Sequence, residues 1–265
     1  MGQALAAASD LRSRLFKHQG FASRLLDDKH DFIVYVPPTY AAEPERYYPV
    51  LFMQDGQNLF DPETSFIKGQ YWRMGETADA LIQSGEIEPL AIVGIYNTGD
   101  HRVNEYTPVE DRRLGGGQAD AYGQMLVEEL RPFVARSYRI LISGSNCGMG
   151  GSSLGGLVSM YLGLRYPEVF GKLAVMSPSV WWHRRAILKT AARIRRDTGQ
   201  RIWLDVGTNE SLRALPDVRA LKMVLERKGW RVGENLGYTE AEGAQHNENA
   251  WAERVAPMLR FLFPR

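Results

Sequence analysis

Five short apolar runs, rich in β-branched residues, are spaced along the chain with longer stretches of helical period between them. They read DFIVYVP (31–37), YYPVLFMQD (47–55), LAIVGIYN (90–97), KLAVMSP (172–178) and RIWLDVG (201–207). A strand with one wet face alternates apolar and polar side chains; these runs are nearly unbroken, as in strands covered on both faces. Helical patterns fall at about 75–84, 122–136, 154–165, 183–196, 213–228 and 248–262. Such alternation predicts an α/β fold with a mostly parallel central sheet and helices on both faces. The 265 residues suffice for one such domain. The expected organisation is a single domain over 1–265, with 1–29 a less defined N-terminal extension.

Composition narrows the partners. Lys plus Arg (32) nearly balances Asp plus Glu (31), so there is no bulk field to hold nucleic acid or an anionic membrane. A small-molecule partner is expected, with no nucleic acid and no membrane; the oligomeric state is not indicated. Cys147 is the single cysteine, which rules out an internal disulfide and a zinc site built on thiolates. No HxH or HExxH spacing is present either, so neither metal nor organic cofactor is implied. The start, MGQALAAASDLRSRLF, lacks the basic and long apolar regions of a signal peptide, and no run approaches the length of a membrane span. A cytoplasmic location is therefore expected, a trimmed leader aside. The glycine-rich RRLGGGQAD (112–120) reads as a mobile loop, because no Lys-Ser/Thr follows it as a phosphate-binding loop requires.

The densest glycine cluster lies in SGSNCGMGGSSLGGLVSMYLGLRYP (143–167), where Gly-Ser-Ser-Leu-Gly at 151–155 matches G-x-S-x-G. In a nucleophile elbow the serine sits in a strained turn between a strand and a helix, and small residues two before and two after it avoid collision. SNCGMGG can supply the strand, and LGGLVSMYLGLRYP a helix stopped by Pro167. The register selects Ser153, since Ser152 is not bracketed by glycines in this way. Taken alone, the pentapeptide also suits a plain glycine-rich turn with satisfied serines.

Such a serine needs an acid and then a base later in the chain. Of the two downstream histidines, His183 starts a helix and is followed by two arginines, which suits a solvated or capping role. His246, in the polar loop EAEGAQHNENAW before the last helix, stands where a base is expected. Glu210 in GTNES, beyond the strand RIWLDV, is the candidate acid, with Asp205 inside that strand as competitor. An oxyanion hole needs two backbone N–H groups. Leu154, after the nucleophile, offers one, and Gln57, beside Gly56 in MQDGQNLFD, offers the other.

Together, VLFMQDGQNLFDP, IVGIYNTGDHRVNEYTP, GGSSLGGLVSMYLGLRYPEVFGKLAVMSPSVWW, DVGTNE and HNENAWAER resemble the esterase family of α/β-hydrolases that includes enterochelin esterases, feruloyl esterases and the antigen 85 mycolyltransferases. The likeness runs from about residue 30 to the C-terminus. It implies the α/β-hydrolase fold, with Ser153 as nucleophile, Glu210 as acid, His246 as base and oxyanion donors at Leu154 and the Gly56-Gln57 turn. Asp55-Gly56 stands where many members have His-Gly; a hole built from backbone N–H groups tolerates the change. The extra N-terminal domain of some siderophore esterases is not expected here, which argues against a large trilactone substrate.

The chemistry expected is hydrolysis of a small carboxylic ester through an acyl-enzyme. An acyltransferase using the same intermediate, a siderophore trilactone esterase and a non-catalytic domain are the alternatives. Arg102, Glu105 and Tyr106 follow a strand, where pocket residues of open α/β sheets gather; a buried ion pair bracing the loop fits them equally. Trp181 and Trp182 suit either an apolar wall for the substrate or packing. In HRRAILKTAARIRR, Ala186, Ile187, Ala191 and Ile194 form an apolar stripe, and the arginines a solvated helix face.

Overall fold

The computed structural model describes residues 11–194 and 198–265. Among them are nine strands: β1 (Leu15–Ala22), β2 (Lys29–Tyr35), β3 (Tyr48–Gln54), β4 (Ala91–Ile95), β5 (Ile140–Leu141), β6 (Cys147–Ser152), β7 (Lys172–Met176), β8 (Arg201–Gly207) and β9 (Leu236–Ala241). They form one sheet in the order β1-β2-β4-β3-β6-β7-β8-β9, with β5 paired to the start of β3. Pairing is parallel from β4 across to β9. It is antiparallel only where β1 meets β2 and β2 meets β4. Every residue of β3, β4, β6 and β7 is buried, which is why those segments carry no polar alternation.

The helices are α1 (Met74–Gln83), α2 (Arg102–Glu105), α3 (Ala119–Gln124), α4 (Arg131–Ser137), α5 (Leu154–Arg165), α6 (Trp182–Arg193), α7 (Ala214–Lys228) and α8 (Glu248–Leu262). Two apolar clusters result, one on each face of the sheet. Tyr122, Leu157, Val158, Leu221 and Leu225 bring α3, α5 and α7 onto one face. Met74, Ala78, Leu81, Trp251, Val255 and Leu259 bring α1 and α8 onto the other. The parallel strands point their C-terminal ends to one edge, and the loops after β3, β4, β6, β7, β8 and β9 gather there. No helix among the described residues is long and apolar enough to cross a membrane.

Three segments differ from the sequence expectation. Within 1–29, Leu15–Ala22 forms the edge strand β1; its largely exposed side chains give no apolar run to read. The helix expected over 122–136 is broken into α3, a π-helical turn (Met125–Leu130) and α4. Pro132 at the start of α4 has no N–H to give the preceding turn. The glycine tract is tied down: the N–H groups of Gly116 and Gly117 donate to Asn104 Oδ1 and Thr107 Oγ1, each at 3.0 Å. Arg195 and Arg196, at the end of the helix expected over 183–196, lie outside the described residues.

Candidate active site

β6 ends at Ser152 and α5 begins at Leu154, so Ser153 alone makes the turn, at φ 56° and ψ −122°. A serine held at positive φ is strained, and packing has to enforce it. The flanking glycines show how. A Cβ on Gly151 would lie 2.9 Å from the carbonyl carbon of Gly155, and one on Gly155 would lie 3.0 Å from Asp55 Oδ2. Ser152 is the last ladder residue of β6, opposite Met176, and is buried. Ser153 is only half-buried; its N–H donates to Met176 O at 3.1 Å, and its Oγ stands 3.3 Å from Ser179 Oγ. Cys147, at the start of β6, is fully buried, which pushes its thiol up to about 12.

Two and three strands away, the loop after β8 carries Glu210 and the loop after β9 carries His246. Glu210 Oε2 is 2.7 Å from His246 Nδ1, with the carboxylate almost wholly buried and the imidazole partly open. The other oxygen, Oε1, accepts from Ser177 Oγ at 2.6 Å and from Gly207 N at 2.7 Å. Burial alone would push this carboxyl up; the hydrogen bonds from His246, Ser177 and Gly207 outweigh it and hold the group below the usual range. The Trp251 ring meets the His246 ring edge-on at 5.0 Å. The structure thus pairs Glu210 with His246, and the Ser153 hydroxyl with Ser179.

Asp205 has other partners. It is fully buried in β8, where Trp203 Nε1 donates to Oδ2 at 2.7 Å, Ser177 N donates to Oδ1 at 3.2 Å, and Arg254 Nε stands 3.6 Å from Oδ1. Burial pushes its carboxyl up to about 6, against the pull of Arg254.

The loop after β3 turns at Asp55, itself left-handed at φ 56°, into a single 3-10 turn, Gly56–Asn58. A Cβ on Gly56 would lie 2.2 Å from the backbone of Gly94 in β4, so only glycine lets the loop pack so closely. The turn's own bonds use the N–H groups of Asn58 and Leu59, leaving that of Gln57 for another acceptor. In α5 the first helical bond runs from Leu157 N to Ser153 O, which leaves Leu154 N–H without a helical partner. The near contact of Gly155 with Asp55 brings these two turns side by side.

Arg102 and Tyr106 brace this loop. Arg102 Nε and Nη2 donate to Asp55 Oδ1 and Oδ2 at 2.7 and 2.8 Å, and Asn97 Nδ2 donates to Oδ1 at 2.7 Å. Desolvation works against the Arg102 charge, but Asp55 prevails and holds its pKa above the ordinary value. Tyr106 is fully buried, and its hydroxyl accepts from Asp55 N at 3.2 Å. Glu105 is buried against His30 Nε2 at 3.0 Å and Thr98 Oγ1 at 3.0 Å. Glu105 and Tyr106 are thus buried in bracing contacts, one of the two roles that the sequence leaves open for them. The tryptophans divide likewise: Trp182 is buried, donating Nε1 to Val109 O at 2.7 Å, whereas Trp181 is 44% exposed. His183 is exposed on a left-handed turn.

Four residues around the site were not singled out from the sequence: Ser177, Ser179, Trp251 and Arg254. Each lies inside a quoted motif. The signals available were the serines of SPSVWW directly after β7, and the positions five and eight residues after His246, which put Trp251 and Arg254 on the inner side of α8.

A mostly parallel sheet with a strained serine between strand and helix defines an α/β-hydrolase. The chain belongs to the esterase family described as "Putative esterase", which matches residues 23–262, and it is an ester hydrolase of the serine type. It is 25% identical over 248 residues to the uncharacterized protein YbbA of Bacillus subtilis, covering 88% of this chain and 92% of that one. It is 31% identical over 237 residues to an endo-1,4-beta-xylanase/feruloyl esterase of Xylanibacter ruminicola, covering 87% of this chain and 29% of the relative. Among solved structures, the enterobactin esterase FES of Shigella flexneri in the presence of enterobactin superposes with a TM-score of 0.75 at 19% identity, covering 94% of this chain and 58% of that one.

Proposed function

We propose that the protein is a carboxylesterase acting through an acyl-enzyme on Ser153, with His246 as base and Glu210 as acid. The observation that carries this is the Glu210–His246 contact at 2.7 Å, on loops at the same edge of the sheet as a serine strained at φ 56°. His246 takes the Ser153 hydroxyl proton as Oγ bonds to the ester carbonyl carbon; the N–H groups of Leu154 and Gln57 stabilise the oxyanion. As the tetrahedral adduct collapses, the imidazolium returns that proton to the leaving alkoxide, and the alcohol departs. Water, deprotonated by His246, then attacks the acyl-enzyme, and the second adduct collapses to the free acid as the imidazolium returns its proton to Ser153 Oγ. Throughout, Glu210 fixes the imidazole tautomer through Nδ1 and stabilises the imidazolium.

Relatives named as a feruloyl esterase and an enterobactin esterase support a small ester whose acyl or alcohol part bears a ring. The test is a panel of p-nitrophenyl, feruloyl and acetyl-sugar esters and a trilactone, run on one preparation beside Ser153→Ala. Turnover of at least one class that is lost in the variant is expected. Turnover that survives in the variant would overturn the assignment.

A further inference from the structure

A cavity of about 320 Å³ is lined by Trp181, Arg184, Arg185, Arg213 and Asp217. Trp181 follows Ser179 by two residues, and Ser179 Oγ is 3.3 Å from Ser153 Oγ. Arg213 follows Glu210 by three. At no more than about 3.6 Å of chain per residue, the Trp181 Cα lies within about 7 Å of that of Ser179, and the Arg213 Cα within about 11 Å of that of Glu210. The recess therefore borders the two loops that carry Ser179 and Glu210.

Its charge is unbalanced. Arg185 is paired with Asp217, whose carboxylate is buried at the start of α7. Arg184 and Arg213 have no ion-pair or hydrogen-bond partner for their guanidinium groups among the described residues. Three cations thus face one carboxylate. The backbone is unusual at the same place: His183, Arg184 and Arg185 are consecutive left-handed residues, at φ 40°, 56° and 62°, and none is glycine. A run of this kind is costly and has to be imposed by its surroundings. Here it sets two arginines on the wall of one recess. Beside them, the half-exposed Trp181 ring is backed by the buried Trp182 ring, with centroids 5.6 Å apart.

We propose that this recess is a substrate subsite for a carboxylate carried on an aromatic or apolar stem, with the stem against Trp181 and the anion between Arg184 and Arg213. The guanidinium fork suits a carboxylate, and an indole face suits a ring. The volume fits one substituted ring rather than a large ligand. This names the substrate class for the reaction proposed at Ser153 and rests on that assignment.

Two matched ester pairs test it: p-nitrophenyl hydrogen glutarate against its neutral methyl ester, and 4-carboxyphenyl acetate against 4-(methoxycarbonyl)phenyl acetate. In at least one pair the anionic member should be preferred about tenfold in kcat/KM, and Arg184→Ala or Arg213→Ala should each remove most of that preference while leaving the neutral ester's rate intact. Both arginines are exposed and unpaired, so thermal midpoints should not move. No preference in either pair, or one that survives both substitutions, overturns the subsite. Calorimetric titration of 4-hydroxybenzoate into Ser153→Ala protein reads the recess without turnover. Binding lost on adding Arg184→Ala supports the subsite even if the nucleophile has been misassigned; binding unchanged by that substitution counts against it.

Discussion

Ser177 Oγ donates to Glu210 Oε1 at 2.6 Å while accepting from Trp251 Nε1 at 3.1 Å and Arg254 Nη2 at 3.0 Å. Ser177 is itself left-handed, at φ 41°, so the chain is strained to put a hydroxyl there. With Oε1 fixed by Ser177 and Gly207, the remaining oxygen of Glu210 is left for His246. Ser177→Ala should therefore lower kcat by between about 10-fold and 100-fold, the worth of one hydrogen bond to a charged group, with KM nearly unchanged. Unaltered kcat in a folded variant would show that Glu210 does not depend on this contact.

The two neighbouring carboxylates should separate by rate and by pH. Glu210→Gln should cost roughly 10³-fold to 10⁴-fold in kcat, as loss of a triad acid does. Asp205 should act on stability instead. Its carboxyl sits at about 6 against an ordinary 3.8, so the folded state holds its proton longer than the unfolded chain does. That contribution is present below pH 3.8 and is lost as the pH rises through 6, by about 3 kcal/mol in all. Asp205→Asn lacks this titration. Urea unfolding at pH 4 and pH 7 should show the wild type losing about that much relative to the variant; a constant difference would refute the linkage.

The parts of this molecule that were legible in the sequence are those where local pattern and global fold agree. Unbroken apolar runs marked β3, β4, β7 and β8 because both faces of the sheet are covered. Ser153 was legible because its strained turn excludes side chains at 151 and 155. β1 was not, because an edge strand with exposed side chains carries no apolar signal. Arg102 and Tyr106 left two roles open, since a brace and a pocket wall draw on the same residue types; only the bonds to Asp55 separate them. Ser177 and Arg254 were hidden because their partners lie 33 and 49 positions away along the chain.

Ser152 and Ser153 are adjacent, and the backbone distinguishes them. Ser152 is a buried residue of the β6–β7 ladder, whereas Ser153 occupies the turn itself. Ser153→Ala should abolish turnover, by about 10⁶ in kcat, while Ser152→Ala should keep most of it. Ester turnover with each variant, normalised to folded protein by circular dichroism, decides this. Equal losses would mean that the register of the elbow is wrong.

Arg102 and Asp55 make the last prediction, since their two-pronged contact holds the loop that carries Gln57. Asp55 is mostly buried, is left-handed, and receives Arg102 through both oxygens, so the guanidinium offsets its charge and also fixes its orientation. Arg102→Ala leaves that carboxylate with Asn97 as its remaining side-chain partner. The expected loss is about 3 kcal/mol, near the lower end for breaking a buried pair. For a chain of this length that corresponds to roughly 6–12 °C in thermal midpoint. Because the loop also carries one of the two proposed oxyanion donors, kcat should fall by about 10²-fold even where the protein is fully folded. Arg102→Lys separates the two effects. Lysine restores the charge without the fork, so the midpoint should largely recover while kcat stays low. If kcat recovers together with the midpoint, Arg102 supports the fold alone, and the Gln57 N–H does not depend on the orientation of Asp55.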